Sequence, residues 1–595
     1  MCGIVGYVGD KNCSQILIDG LKQLEYRGYD SAGIAVLDKS NNIVIEKKQG
    51  KVAVLEESVT SMVGNCGIGH TRWATHGKPS DINSHPHKSG AFAVVHNGII
   101  ENFLELKVKL VNSGARFTSE TDTEVIAHLL RKNYEGDIIK CVKRTTDQLI
   151  GSFALAIICE DCPNTIVVAK RNNPLIIGEG QGENFIASDI PAVAKHTKDV
   201  YVLNDGDLAL VTKNSVKFYD KNLKVIQRDT TTVDIEPNSL DKGNNDSYMI
   251  KEIKEIPTAV SNTIKNFNNL NLSKFREVLH KIKSITIVGC GTAYHSSIVA
   301  KYIIEENCRM HVNTEIASEY RYRNPIIDST DLVIAVSQSG ETADTIAAAK
   351  MAKEKGAYLA VISNVSSSSL CQIADFVFPT LAGVEIGVAA TKSYNTQLTV
   401  FYLLTFVIME EKLKIDVTEY RNALQKIPFA AELVLRDVEK LNEYAGRFSS
   451  LHSVFFIGRG VDYAVALEGS LKLKEISYIH SEGYAAGELK HGTLALIEKE
   501  SLVISLITQE DVADKTLNAV HEVKARGATV LAITQLDEIK GKEGIDFLFE
   551  LPKFEQLFMP IITVIPLQVF AYYMARARGN DPDKPRNLAK SVTVE

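Results

Sequence analysis

One segment of this chain is written twice. SITIVGCGTAYHSS from Ser284 returns as SVFFIGRGVDYAVA from Ser453, and Gly289 and Gly291 match Gly458 and Gly460 at an offset of 169. The match then drifts slowly. Glu319 faces Glu488 at 169, DLVIAVS from Asp331 faces SLVISLI from Ser501 at 170, and GAYLAVIS from Gly356 faces GATVLAIT from Gly527 at 171. Two copies of one fold diverge in this way through single-residue loop changes. Within each copy, apolar runs of strand length alternate with long helical stretches, the pattern of a parallel sheet with crossover helices. The second half therefore folds as a tandem pair of α/β domains.

The first 235 or so residues follow a different rhythm. Short β-rich runs at 3–8, 32–37, 92–95, 153–158, 166–169, 185–187 and 208–211 are separated by turns, and the clearest helical patterns cover 121–132 and 138–149. This predicts a layered domain with much antiparallel sheet. The polar run EPNSLDKGNNDS from Glu236 reads as a linker. With 595 residues the chain exceeds one core, and hydrophobic and charged fractions of 45% and 23% are ordinary for packed domains. A net charge of −7 gives no basic footprint, which argues against nucleic acid or an anionic membrane as partner.

Nine scattered cysteines and no signal-peptide pattern point to the reducing cytosol. Cys159 and Cys162 form a C-x-x-C without a second ligand pair, so we read a strand-end turn rather than a zinc site. The apolar run 556–575 carries two prolines and falls inside the repeat, and we read it as a buried strand and helix rather than a membrane span.

Two places carry chemistry on residue type alone. Removal of Met1 would expose Cys2, whose α-amine, with a pKa of about 8, lies beside a thiol of about 8.5 and can act as its base. By itself such a cysteine is more often just a terminal residue. In the tandem half, Gly289-Cys290-Gly291 lacks the third glycine and the downstream acid of a dinucleotide fingerprint, so a nicotinamide cofactor is rejected. Val336-Ser337-Gln338-Ser339-Gly340-Glu341-Thr342 sits where a strand gives way to a helix, and hydroxyls with helix N-terminal amides bind phosphate. The same residues can simply cap that helix. In the second copy the strand runs into Ile507-Thr508-Gln509-Glu510, where an acidic residue would repel phosphate. One phosphate site per chain follows.

Met-Cys-Gly-Ile-Val-Gly, EYRGYDSAG from Glu25, GHTRWATHG from Gly69, VVHNGIIEN from Val94 and SETDTEV from Ser119, five blocks in order, resemble the class II glutamine amidotransferase domain. The resemblance implies an αββα Ntn-hydrolase-like fold in which Cys2 attacks the glutamine amide. It places oxyanion donors at Asn97 and Gly98, substrate clamps at Arg72 and Asp122, site lining at Thr75 and His76, and the ammonia gate at Trp73. On residue type alone Arg72 is equally a surface ion pair, Trp73 a core aromatic, and His76, His85 and His87 metal ligands. The resemblance disfavours a metal.

The tandem half resembles the sugar isomerase (SIS) domain, which implies doubly wound parallel sheets. Together the parts resemble, over essentially the full length, the isomerising glutamine–fructose-6-phosphate aminotransferase family. The implied reaction consumes glutamine and fructose 6-phosphate, opens hexosamine biosynthesis and uses no metal or organic cofactor. The implied domains are 1–238 glutaminase, 239–275 linker and first helix, 276–420 and 421–580 the two SIS domains, and 581–595 a catalytic tail.

The family pattern puts the phosphate on Ser337, Gln338, Ser339 and Thr342, and the sugar hydroxyls near Thr292 and the Val388-Ala389 backbone. Glu475 falls at the position of the proton-transfer base, with Lys472 and Glu468 at i−3 and i−7 on the same helical face. His491 matches a ring-opening histidine supplied across a homodimer interface between SIS domains, and Lys590 an imine-forming lysine. On residue type alone Lys472 and Glu475 are a solvated ion pair, His491 a loop residue and Lys590 a tail residue. Thr493 replaces a proline of the pattern, while Ala293 and Ala390 stand where serine is common. These departures bear on sugar affinity rather than on reaction type. Other class II amidotransferases would need a phosphoribosyl-pyrophosphate or ATP-binding second half, and neither signal is present.

Overall fold

The structure is a computed structural model that describes residues 2–233 and 241–593. The expected boundary at 238 lies outside the described residues. The chain divides into two compact units, one reaching to Asp241 and including the segment from Ala589 onward, the other Lys242–Leu588.

The first unit is built on two antiparallel sheets. One has eight strands, with Gly3–Val8, Cys66–Arg72 and Ser31–Leu37 adjacent, and the other has seven, with Phe92–Ile100, Gly151–Cys159 and Ile166–Arg171 adjacent. Strand alternation sorts their side chains into two cores. Ala93, Val95, Ala154, Ala156 and Ile158 point between the sheets, where they meet Ile4, Val8 and Ile68. Phe92, Val94, Leu155 and Ile157 point outward onto helices Glu124–Asn133 and Ile138–Thr146. Helix Cys13–Gln23 packs on the outer face of the eight-stranded sheet, which completes the αββα order. Cys159 ends its strand and Cys162 sits in the turn after it, both as free thiols.

The second unit repeats one topology. Each copy is a five-stranded parallel sheet in chain order 2-1-3-4-5: His311–Ile316, Ser284–Gly289, Asp331–Val336, Tyr358–Ser363, Phe376–Pro379, and likewise His480–Ala485, Ser453–Gly458, Leu502–Leu506, Thr529–Thr534, Phe547–Glu550. Helices Thr292–Cys308 and Val461–Ser477 have the same length of 17 residues, and the glycines before them, Gly291 and Gly460, share φ of +53° and +55°. Glycine meets that conformation without the Cβ penalty. Strand order reverses beside Ser284–Gly289, so the helices after the two central strands leave on opposite faces and open a crevice at the strand C-termini.

The run from Gln556 differs from expectation. It holds no strand: a 3-10 turn, Gln556–Phe558, leads into one helix, Met559–Ala577, with Pro566 inside it. The fifth strand's place is already taken by Phe547–Glu550, and the helix is apolar all round because protein surrounds it. It is long and apolar enough to cross a membrane, yet its most hydropathic window is 89% buried in the protein core.

Candidate active sites

In the first unit, Cys2 immediately precedes strand Gly3–Val8. Its Sγ accepts the Trp73 N–H at 3.3 Å and donates to the Trp73 carbonyl at 3.5 Å, and Arg27 Nε holds the Cys2 carbonyl at 3.1 Å. Burial pushes the thiol above its ordinary value, while the Trp73 N–H and the positive charges of Arg72 and Arg27 pull against it. Removal of Met1 lies outside the described residues.

The loop after strand Cys66–Arg72 is tied from two sides. Asp30 accepts the Ala74 N–H at 2.8 Å, and Arg72 Nη2 donates to the carbonyls of His76 and of Gly77, the latter at 3.0 Å. The other terminal nitrogen, Arg72 Nη1, is buried with no hydrogen-bond partner among the described residues. A buried, unpaired guanidinium N–H suits an incoming carboxylate. Thr75 and His76 lie on this loop with their side chains 3.3 Å apart, and Trp73 meets Tyr29 edge-on at 5.8 Å. Asp122 is buried, and its Oδ2 accepts the Ile100 N–H at 2.8 Å.

Asn97 and Gly98 lie on strand Phe92–Ile100. His70 Nε2 is 2.9 Å from the His96 carbonyl and 3.1 Å from Asn97 Oδ1; both are acceptors, so Nε2 carries the proton. Burial depresses the His70 pKa to about 3, keeping the ring neutral. This fixes the Asn97 amide with Nδ2 outward. One hydrogen goes to Ser188 Oγ at 2.7 Å, and that oxygen also accepts at 2.8 Å the N–H of Ile4, two residues after Cys2. Gly98 has φ +128°, and a Cβ there would fall 2.0 Å from the Ser152 carbonyl oxygen. His85 stacks on His70 at 4.2 Å and His87 meets His85 edge-on at 4.9 Å, both buried and held below their ordinary values chiefly by desolvation. Among the described residues no group of His, Cys, Asp or Glu has the arrangement of a metal site.

In the second unit, Ser337 follows strand Asp331–Val336; its Oγ lies 2.9 Å from Thr342 Oγ1 and accepts the Gly340 N–H at 3.0 Å. Ser339 Oγ accepts the Glu341 N–H at 3.2 Å, and the Gln338 carbonyl accepts the Asn364 N–H at 3.0 Å. Thr342 occupies the N-cap of helix Ala343–Glu354 without a side-chain cap bond. The capping alternative thus fails for Thr342, and the helix N-terminus carries no side-chain cap. In the second copy the backbone N–H of Glu510, at the equivalent place, is taken by Gln556 Oε1 at 3.0 Å. A second carboxylate, Asp462, the counterpart of Ala293, accepts the Thr508 N–H at 2.8 Å and the Thr508 hydroxyl at 2.5 Å. A built-in anion already occupies those donors.

Helices Thr292–Cys308 and Val461–Ser477, one from each copy, meet over a buried ionic cluster. Lys472 Nζ is 2.5 Å from Glu475, 3.5 Å from Glu468 and 3.0 Å from Thr292 Oγ1. The side chains of Lys472 and Glu468 are 0% exposed, which rules out the solvated-pair alternative, and Glu475 is 21% exposed at the rim. Burial works to lower the Lys472 pKa, but the Glu475 and Glu468 carboxylates outweigh it and hold the ammonium above its ordinary value. Val388 is buried, its N–H on the Asp583 carbonyl at 3.1 Å, and Ala389 follows it, also buried. His491 is exposed at the end of the 3-10 turn Ala486–His491, before Gly492 and the buried Thr493. Lys590, half-buried, sits in the terminal segment of the first unit.

Four residues of these sites escaped the sequence reading: Asp30, His70, Ser188 and His295, whose Nδ1 lies 2.8 Å from Glu468 Oε2. Asp30 and His70 lay inside the blocks carrying the resemblance, and His70 shares the strand face of Arg72 two residues away, a spacing that could have flagged it.

A glutamine amidotransferase domain matches residues 70–195, and an SIS domain matches 278–407 and again 447–578. The glutamine–fructose-6-phosphate aminotransferase (isomerizing) of Caldanaerobacter subterraneus subsp. tengcongensis is 50% identical, and that of Clostridium tetani 48%, each covering 100% of both chains. Among solved structures, the C-terminal domain of glucosamine-fructose-6-phosphate aminotransferase from Francisella tularensis is 38% identical with a TM-score of 0.56, covering 58% of this chain and 99% of its own.

Proposed function

The chain belongs to the glutamine–fructose-6-phosphate aminotransferase (isomerizing) family, and from that premise we propose how its residues divide the reaction. The reaction takes the amide nitrogen of glutamine and fructose 6-phosphate to glucosamine 6-phosphate and glutamate. In the first unit the Cys2 thiolate attacks the side-chain amide. Asn97 Nδ2 and the Gly98 N–H receive the developing oxyanion, worth about 10²–10³ in rate per donor. Arg72, with its unpaired Nη1, takes the α-carboxylate and Asp122 the α-ammonium, while Thr75 and His76 line the pocket. Collapse to the γ-glutamyl thioester releases ammonia, which Trp73 gates, and water then frees glutamate.

In the second unit the phosphate rests on Ser337, Gln338, Ser339, Thr342 and the helix N-terminus, with Thr292 and the Val388 backbone near the sugar. His491 of a second copy opens the ring, Lys590 forms an imine with the ketone, and Glu475 moves the proton between C1 and C2 with Lys472 and Glu468 behind it. The site is thereby complete only in a homodimer. Nine unpaired cysteines favour a reducing compartment.

The observation that carries this reading is the coexistence of two buried, preorganised polar arrangements: the neutral Asn97–His70–Ser188 set bonded to the strand that follows Cys2, and the ionic Glu468–Lys472–Glu475 cluster where the two copies meet. Incubation of the purified chain with both substrates should yield glucosamine 6-phosphate and glutamate together. Glutamate without amino sugar would contradict it.

A further inference from the structure

Glu468 is a fully buried carboxylate, and such a group persists only if its lone pairs are met. Its two oxygens are shared out. Oε1 accepts the Thr292 hydroxyl at 2.9 Å, and Oε2 faces His295 Nδ1 at 2.8 Å. A carboxylate only accepts, so His295 carries its proton on Nδ1. His295 lies one turn beyond Thr292 on helix Thr292–Cys308, with its side chain 16% exposed, and it reaches across to the other copy of the fold.

These bonds settle a competition. Lys472 stands between two carboxylates on its own helix, yet its ammonium leans on Glu475 at 2.5 Å and stays 3.5 Å from Glu468. With Glu468 bonded by His295 and Thr292, the ammonium donates to the Thr292 hydroxyl at 3.0 Å and takes the outer, partly exposed carboxylate as its nearer ion-pair partner.

We propose that His295 is a positioning residue for proton transfer: by holding Glu468 through Nδ1–H it keeps Lys472 on Glu475 and so fixes where that base points. The proposal rests on the reading of Glu475 as the base. A carboxylate displaced by about 1 Å from its reacting carbon loses roughly 100-fold in rate, so the effect belongs in kcat and not in KM.

The test follows solvent-deuterium exchange at C1 of fructose 6-phosphate by NMR in the full chain, with glutamine hydrolysis as a control on folding. His295→Ala should lower kcat for exchange roughly 10- to 100-fold with KM for the sugar phosphate within about threefold. His295→Asn, whose Nδ2–H falls where Nδ1–H was, should recover most of it. His295→Gln, one methylene longer, should not. If the alanine variant does not fold, the Asn and Gln pair carries the same contrast. A rise in KM at unchanged kcat, or Asn as inactive as Gln, overturns the proposal. Glu475→Gln checks the underlying assignment separately. Exchange that survives there removes the base assignment itself and this proposal with it, whereas its loss alongside a silent His295→Ala removes only the proposal.

Discussion

His70 decides which way the Asn97 amide faces, because a neutral imidazole with its proton on Nε2 admits only the carbonyl end of that amide. Replacing His70 with alanine should lower kcat for glutamine hydrolysis about 10- to 100-fold with little change in KM, since the lost element acts on the transition state. Unchanged kcat would show that Asn97 orients itself. Gly98→Ala should be worse for stability than for contacts with substrate: a Cβ 2.0 Å from the Ser152 oxygen at φ +128° forces two paired strands apart. We expect a loss of about 3 kcal/mol or more in denaturant unfolding of the first unit. Sequence showed the residue types here but not their partners. Asn97 meets Ser188, and Glu468 meets His295, across separations of 91 and 173 residues that only folding brings together.

At the scale of elements, the two glycine-led helices are alike in length and entry angle but not in chemistry: Thr292, Ala293 and His295 of the first stand against Val461, Asp462 and Ala464 of the second. Burial raises the Asp462 carboxyl from 3.8 to about 6, outweighing its bonds from Thr508 and Gln509. Between these values the folded chain holds a proton that the unfolded chain has released. This group's contribution to stability is therefore present below about pH 4 and lost as pH rises to about 6. Asp462→Asn should flatten the stability of the second unit across that window in thermal unfolding, and an unchanged slope would contradict it. The repeat and its strand order were legible because apolar runs and paired glycines recur at near-constant offset. The bonds of Asp462 to Thr508 were not, because Asp462 arrives from a different helix, 46 residues away in sequence. Helix Met559–Ala577 was misread for a related reason: a helix buried on every side has no amphipathic period to separate it from a strand.

The two units of the whole molecule should answer acid differently. His70, His85, His87 and His96 of the first unit are all held below their ordinary values, chiefly by burial. Their unfolded forms take up protons below about pH 6.5 while the folded forms refuse them, so the first unit loses stability as pH falls through that range. Trp73, the single tryptophan, lies in that unit and reports on it alone. Its fluorescence melting temperature should drop steadily from pH 7.5 to pH 5, and a flat profile would mean the histidines do not hold the unit's neutral core. Joining the units is the central claim: nitrogen freed at Cys2 is consumed at the sugar site of the same enzyme. Its most direct test gives the protein amide-15N glutamine and fructose 6-phosphate in a buffer of unlabelled ammonium and follows the label by NMR. The account predicts 15N-glucosamine 6-phosphate with one glutamate formed per amino sugar. Unlabelled amino sugar, or label lost to bulk ammonium while glutamate accumulates alone, would contradict it.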